Sequence, residues 1–300
     1  MWTRHENFSE FLGSVWDPGM EINQSLGHIQ PLLSRRNKDI FGMVEHKKQI
    51  LLNRLNGIQR AAGYPNSDFL CSLEEIKWFQ KSKSEWLTKG DRNTKYYHLK
   101  AKMRSRRNRI FLLKNNNGIW VDNEVELKAM VVEHFKDIYC SDSNECPVLA
   151  TRTSFPSIDH QRLLDLSIVP NDDEIRASLF AMRSYKAPGI DGFPPLFYKS
   201  NWQIVGPAPC DFVRKAFKRE VSLLEANETL ISLIPKRVNV ELVAHFRPIA
   251  LCTVHYKCLT KLIATRLRGV MNDLISPFQS SFIKGRCIQD NIIVGQEILH

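Results

Sequence analysis

Thr229-Leu-Ile-Ser-Leu-Ile-Pro-Lys236 and Phe246-Arg-Pro-Ile-Ala-Leu251 are the stretches whose reading decides the fold class. The first carries the β-branched content of a buried strand, and the second reads as a strand across a short loop from it. Helical signals surround them. Upstream, a helix is expected from about Trp202 to Arg219. Before that, Asn171-Asp-Asp-Glu174 reads as the capped start of a helix bearing Ile175, Leu179 and Met182. Between these helices the Pro- and Gly-dense segment Lys186–Pro195 must be a shaped loop. Downstream, Leu259, Ile263, Leu267, Val270 and Leu274 mark one face of a helix that stops at Ser276-Pro277.

Working outward toward the N-terminus, Asn115-Asn-Asn-Gly118 is a turn signal between Ile110-Phe-Leu-Leu113 and Ile119-Trp-Val121, so a short hairpin is expected. A helix follows from Glu124, with Leu127, Val131, Phe135 and Ile138 on one face. Ser72-Leu-Glu-Glu75 reads as a capping box opening a helix through Ile76, Phe79 and Trp86. Leu51, Leu55, Ile58 and Ala62 recur at helical spacing before the breaker Gly63-Tyr-Pro-Asn66. The first forty residues carry weak signals and read as a ragged start. The polar segment Cys140–Pro156 reads as a linker. The expected organisation is a helical basic region over 1–139, a linker over 140–160, and a second domain over 161–300. Helices predominate around one or two small antiparallel strand pairs, an α+β class.

Charge is concentrated. The chain carries a formal net charge of +10. Arg92–Val121 holds Arg92, Lys95, Lys100, Lys102, Arg104, Arg106, Arg107, Arg109 and Lys114 without a single acid, which leaves the remainder close to neutral. Like charges packed this closely repel, and such a block is the usual footprint of a polyanion, because each neutralised phosphate releases counterions. Tyr96, Tyr97, His98 and Trp120 are interleaved or adjacent, and aromatic rings stack on unpaired bases. RNA, DNA or both are therefore the expected partners. The seven cysteines form no Cys-x-x-Cys pair, Met1–Leu12 has no apolar leader core, and no apolar run reaches the ~20 residues of a membrane span. The reading is an intracellular protein with reduced thiols and no membrane partner, its nuclear or cytoplasmic residence open.

Several segments of the second half, taken together, resemble one family. Lys186-Ala-Pro-Gly-Ile-Asp-Gly192, Leu233-Ile-Pro-Lys236, Phe246-Arg-Pro-Ile-Ala-Leu251, and Ser276-Pro-Phe-Gln279 followed by Gly285-Arg286 occur in the order seen in the fingers region of non-LTR retrotransposon reverse transcriptases. Trp86-Leu-Thr-Lys-Gly-Asp-Arg-Asn-Thr-Lys95-Tyr-Tyr-His98 is similar to the stretch upstream of the polymerase in plant LINE open reading frames. The resemblance spans about Val44 to His300. It implies an RNA-directed DNA polymerase whose 161–300 region is a partial fingers domain. It places Lys236 and Arg247 against the triphosphate of the incoming nucleotide, where cations on a rigid platform are needed. It also places Gln279 and Arg286 near nucleic acid at the border of the active site. The basic set Lys95, Lys100, Lys102, Arg104, Arg106, Arg107 and Arg109 is the expected nucleic-acid surface.

The polymerase chemistry of that family needs two metal ions held by carboxylates, from a strand Asp and a Tyr-x-Asp-Asp hairpin. Both would lie after His300, so the chain is expected to be inactive alone, with no catalytic residue, no metal ligand and no cofactor of its own. Mg is expected only for a complete polymerase. Asp172-Asp173 reads as helix capping instead. The Pro188–Gly192 loop has no Gly-Lys-Ser/Thr, so it is no P-loop, and Asp191 is expected to bond nearby backbone amides. Cys252, His255 and Cys258 lack a partner pair for a zinc site and read as packing residues. His245 stands where the family has an acid, and Arg237–Ala244 lacks the family's prolines. A non-enzymatic nucleic-acid-binding protein and an inert retroelement remnant are the alternatives.

Overall fold

The structure is a computed structural model that describes residues 7–41, 94–140, 158–276, 279–280, 283 and 285–299. The helices expected over Val44–Ala62 and after Ser72, the breaker at Gly63, and the linker beyond Cys140 lie outside the described residues. In chain order the elements are α1 (Phe8–Val15), α2 (Ile22–Phe41), α3 (Thr94–Asn108), β1 (Leu113–Lys114), β2 (Trp120–Val121), α4 (Glu124–Tyr139) and α5 (His160–Ser167). They continue with α6 (Asp172–Phe180), α7 (Pro195–Ser200), α8 (Trp202–Val205), α9 (Pro207–Lys218), β3 (Leu230–Pro235), β4 (Phe246–Leu251), α10 (Val254–Arg268), α11 (Met271–Leu274) and α12 (Ile288–Leu299). Among the described residues the sheets are two antiparallel pairs, β1–β2 and β3–β4, within a helix-rich α+β arrangement.

Local chemistry explains where elements begin and end. Asn171 Oδ1 accepts from the Glu174 amide at 2.8 Å, so Asp172 and Asp173 occupy the first turn of α6, where the helix dipole favours acids. Asn123 caps α4 in the same way, accepting from Val125 and Glu126. Gly118 takes φ +77° in the turn between β1 and β2, which an L side chain would strain. The helix expected over Trp202–Arg219 is two, α8 and α9: Gly206 keeps helical dihedrals, φ −59° and ψ −37°, but Pro207 after it has no N–H to continue the hydrogen-bond ladder.

Two cores result. The larger joins α1 and α2 to α6, α7, α9 and α10: Leu12, Ile29, Ile175, Leu179, Phe197, Val213 and Leu262 are all essentially sealed from solvent. Residues 7–41 are therefore not the ragged segment expected. Phe8, Leu12, Trp16, Ile22, Leu26, Ile29 and Leu33 close one side of this core, and each buried Leu or Ile contributes about 1.5–3 kcal/mol by leaving water. Arg266 of α10 ties the helices outside it. Its guanidinium meets the Glu174 carboxylate at 2.7 and 2.8 Å, also donates to the carbonyls of Leu166 and Ile168, and lies against the Phe217 ring.

The smaller core lies under the strand pairs. Leu113, Val121, Leu127, Phe135, Val243 and Phe246 form it, with Leu233 and Val240 packed on its edge. It thus draws residues from both sides of the 141–157 segment.

Three expected faces come out differently. Thr229–Ile234 is not a buried strand: Leu230 and Ile231 are half exposed, since a two-stranded sheet has few neighbours to cover it. The buried face of α10 is Val254, His255, Cys258, Leu259 and Leu262, while Ile263 and Leu267 are exposed, because the core lies to one side of the predicted stripe. Ile138 of α4 points to solvent, beyond the reach of the smaller core.

Candidate nucleic-acid interface

The basic run is a helix that feeds directly into the β1–β2 hairpin. α3 carries Lys95, Lys100, Lys102, Arg104, Arg106 and Arg107, and Arg109 follows it. Lys100, Lys102, Arg106, Arg107 and Arg109 are exposed, and Arg104 is half-buried. Helical geometry spreads these positions around the axis, so α3 has no apolar stripe. It contacts β3, and Tyr97 is its buried side chain. A helix this charged gains little from burial and keeps its cations available to an anion.

Aromatic rings sit beside the cations. Lys100 Nζ lies 5.5 Å from the centroid of Tyr96 and donates to its hydroxyl at 3.3 Å. The Arg109 guanidinium is 4.8 Å from the Phe111 ring, and Lys114 Nζ is 4.7 Å from that of Trp120. Phe111 and Trp120 are 61% and 49% exposed, unusual for large apolar side chains in a folded chain.

Lys114 also bridges the hairpin to the loop between β3 and β4. Its amide donates to the Glu241 carbonyl at 2.7 Å, and its ammonium pairs with the Glu241 carboxylate at 2.9 Å. That pairing holds the Glu241 carboxyl below its ordinary range. The basic hairpin is thereby docked on the loop that separates Lys236 from Arg247.

The strand register places those two residues. Ile234 pairs with Arg247 and Pro235 with Phe246, so Arg247 shares a face with Ile234, opposite the buried Pro235–Phe246 face. Lys236 extends the ladder by donating its amide to the His245 carbonyl at 2.9 Å. Alternation then puts Lys236 on the Arg247 face, a diagonal neighbour at about 7–8 Å between backbones. Both are exposed. The Lys236 ammonium donates to the Ala244 carbonyl at 2.7 Å.

His245, standing where the resemblance expects an acid, does an acid's local work. Its Nδ1 accepts from the amides of Glu241 and Leu242 at 3.4 and 3.2 Å, and the Arg237 guanidinium lies against the ring. The turn keeps its acceptor without a carboxylate.

Other predicted residues have structural tasks. The Arg286 guanidinium donates to four carbonyls, those of Asn272, Ile275, Ser276 and Gln279, and so folds the segment after α11 around itself. The Gln279 side chain is exposed beside it. In the Lys186–Pro195 loop, Gly189 lies so close to β4's end that a Cβ would come within 2.6 Å of the Cys252 and Thr253 backbone. Asp191 Oδ1 accepts from the Phe193 amide at 3.3 Å, as expected, whereas Oδ2 is buried without a partner. Burial pushes the Asp191 carboxyl up to about 6, against the opposing pull of Lys257.

The Cys252–Cys258 segment is packing. Cys258 Sγ donates to the Ile175 carbonyl, Cys252 Sγ accepts from the Thr229 hydroxyl, and the buried His255 meets Thr253 Oγ1 at 3.2 Å. Burial holds the His255 imidazole down to about 4, so it is neutral near pH 7. Asp172 pairs with Arg214, and no three His, Cys, Asp or Glu side chains gather into a metal-binding group among the described residues. No helix among them is long and apolar enough to cross a membrane.

Sequence reasoning missed Phe111 as a surface residue. It reads as one apolar position of a strand, and only its exposure beside Arg109 distinguishes it.

No family model matches the chain. It is 24% identical over 316 aligned residues to the transposon TX1 uncharacterized 149 kDa protein of Xenopus laevis. The match takes in all of this chain and 24% of that protein, so the chain spans about a quarter of its relative's length. Along its whole length the chain is similar to a transposon protein.

Proposed function

We propose that this chain is the nucleic-acid-binding front part of a LINE-type retrotransposon RNA-directed DNA polymerase. The observation that carries the reading is the joining of two cationic features. The basic helix and hairpin are docked, through Lys114 and Glu241, on the loop between β3 and β4 whose flanks bear Lys236 and Arg247. A template strand held by α3 and the hairpin lies along this surface. Lys236 and Arg247 offer the triphosphate of an incoming nucleotide two cations on one strand face, held by a ladder that needs no reorganisation. The full-length similarity to a transposon protein supports the retroelement setting. In this reading the described residues bind and position; they carry no catalytic carboxylate pair.

The test is the salt dependence of RNA and DNA binding by the purified chain, followed by anisotropy. Wild type loses affinity steeply and linearly on a log–log plot. The combined Arg104→Gln, Arg106→Gln, Arg107→Gln, Arg109→Gln variant lowers that slope by roughly 3 and weakens binding at least about 100-fold at low salt. Binding indifferent to salt, or unaltered in the quadruple variant, overturns the reading.

A further inference from the structure

We infer that the hairpin is a stacking platform that makes this surface selective for unpaired strands over duplexes. The inference deepens the proposed nucleic-acid reading and rests on it. Phosphate attraction by α3 alone makes no such distinction, because both forms offer a charged backbone. The rings do. Phe111 and Trp120 stand in solvent at the end of a basic helix, in a segment of few residues that is pinned from below by Leu113 and Val121 in the smaller core. One cation lies against each ring, Arg109 on Phe111 and Lys114 on Trp120. A cation on one side of a π-system leaves the other side for a base, and a guanidinium or ammonium there strengthens the stack electrostatically.

The two cations are not equivalent. Lys114 is committed to the Glu241 carboxylate as well as to the ring, so its task is to orient Trp120. Arg109 is exposed and can meet a phosphate while it covers Phe111. A base on either ring, with its phosphate drawn to Arg109, suits an unpaired strand. In a duplex the base faces are already stacked on one another and cannot reach the rings. Nothing in this arrangement reads base identity, so the selectivity is for strand state and not for sequence.

The experiment compares oligouridylate and oligothymidylate of about twelve nucleotides with blunt RNA and DNA duplexes of the same length, each labelled and titrated into the intact chain. Single strands of either sugar bind about tenfold or more tighter than the duplexes. Trp120→Ala and Phe111→Ala each weaken single-strand binding about tenfold while leaving duplex binding and its salt slope unchanged. Trp120→Tyr, which keeps a ring, restores single-strand affinity and guards against a folding defect in Trp120→Ala. Equal affinity for single strands and duplexes, or ring variants that weaken both alike, overturns the platform while leaving the cationic surface standing. Loss of all binding only in the arginine variant, with no effect of either ring, also overturns it. If neither strand form binds the wild type, the broader nucleic-acid reading fails as well.

Discussion

The two cores use apolar residues in opposite ways. In the larger, Leu12, Ile175, Leu179, Val213 and Leu262 disappear behind helices drawn from distant parts of the chain. In the smaller, Leu113, Val121 and Phe246 are covered, but Phe111 and Trp120 stay in solvent against Arg109 and Lys114. The first region gains stability from its large side chains. The second has only a thin layer of helix and strand to cover it, and the rings left over become a surface that a nucleic acid can use. The lesson is that exposed aromatics here follow from too few layers and from a charge density that holds other protein elements away.

The largest effect is expected where that contrast is attacked directly. Leu12→Ala removes a side chain from a site that neighbouring helices cannot refill, and should cost about 3–5 kcal/mol in chemical unfolding. Leu113→Ala, in the thinner core with room to collapse, should cost about 2–3 kcal/mol. If the two are equal, or reversed, the smaller core is packed as tightly as the larger and the contrast fails.

Next comes the clamp that holds α10 to α5 and α6. Arg266→Gln gives up a charged fork to Glu174 and two carbonyl contacts, part of them buried. A loss of about 2 kcal/mol is expected, with nucleic-acid affinity unchanged because the smaller core is untouched. A variant that unfolds normally but binds poorly would show that the two regions are coupled.

Acidity gives a third handle. Burial raises the Asp191 carboxyl to about 6, so the stability linked to it is present below its unfolded value near 4 and is lost as pH rises through about 6. His255 runs the other way. Its imidazole is held down to about 4, so its contribution is present above its unfolded value near 6.5 and is lost as pH falls through about 4. The two slopes oppose each other across the pH 4–6 window. Asp191→Asn should therefore gain on wild type by on the order of 2 kcal/mol between pH 4 and pH 6.5, read as the difference between their denaturation midpoints. A constant difference across that range would mean that the Asp191 carboxyl is solvated in the folded chain.

The smallest effect is expected at the exposed pair on α4. Glu124 and Lys128 meet at 2.7 Å across one helical turn, both almost wholly in water. Glu124→Gln should leave the thermal midpoint within experimental error, since solvent screens such pairs. A clear shift would show that α4 is held by its charges and not by Leu127 and Phe135.

Much of this was legible in the residues, and the reason is range. The Asn171 cap, the Gly118 turn and the β1–β2 hairpin are settled by hydrogen bonds and sterics within a few residues, so the order of amino acids already determines them. What lay beyond the sequence was decided by partners far along the chain. Phe8–Leu33 gave weak signals because its apolar positions have meaning only against α6, α9 and α10. The sidedness of α10 and the exposure of β3 depend on which layers are present to cover them. Arg286 reads as a free cation until four carbonyls close around it, and Phe111 reads as a strand interior until the hairpin leaves it outside. Local hydrogen bonding is encoded residue by residue, whereas burial is a property of the assembled surface, and only the tertiary structure decides which side chains that surface hides.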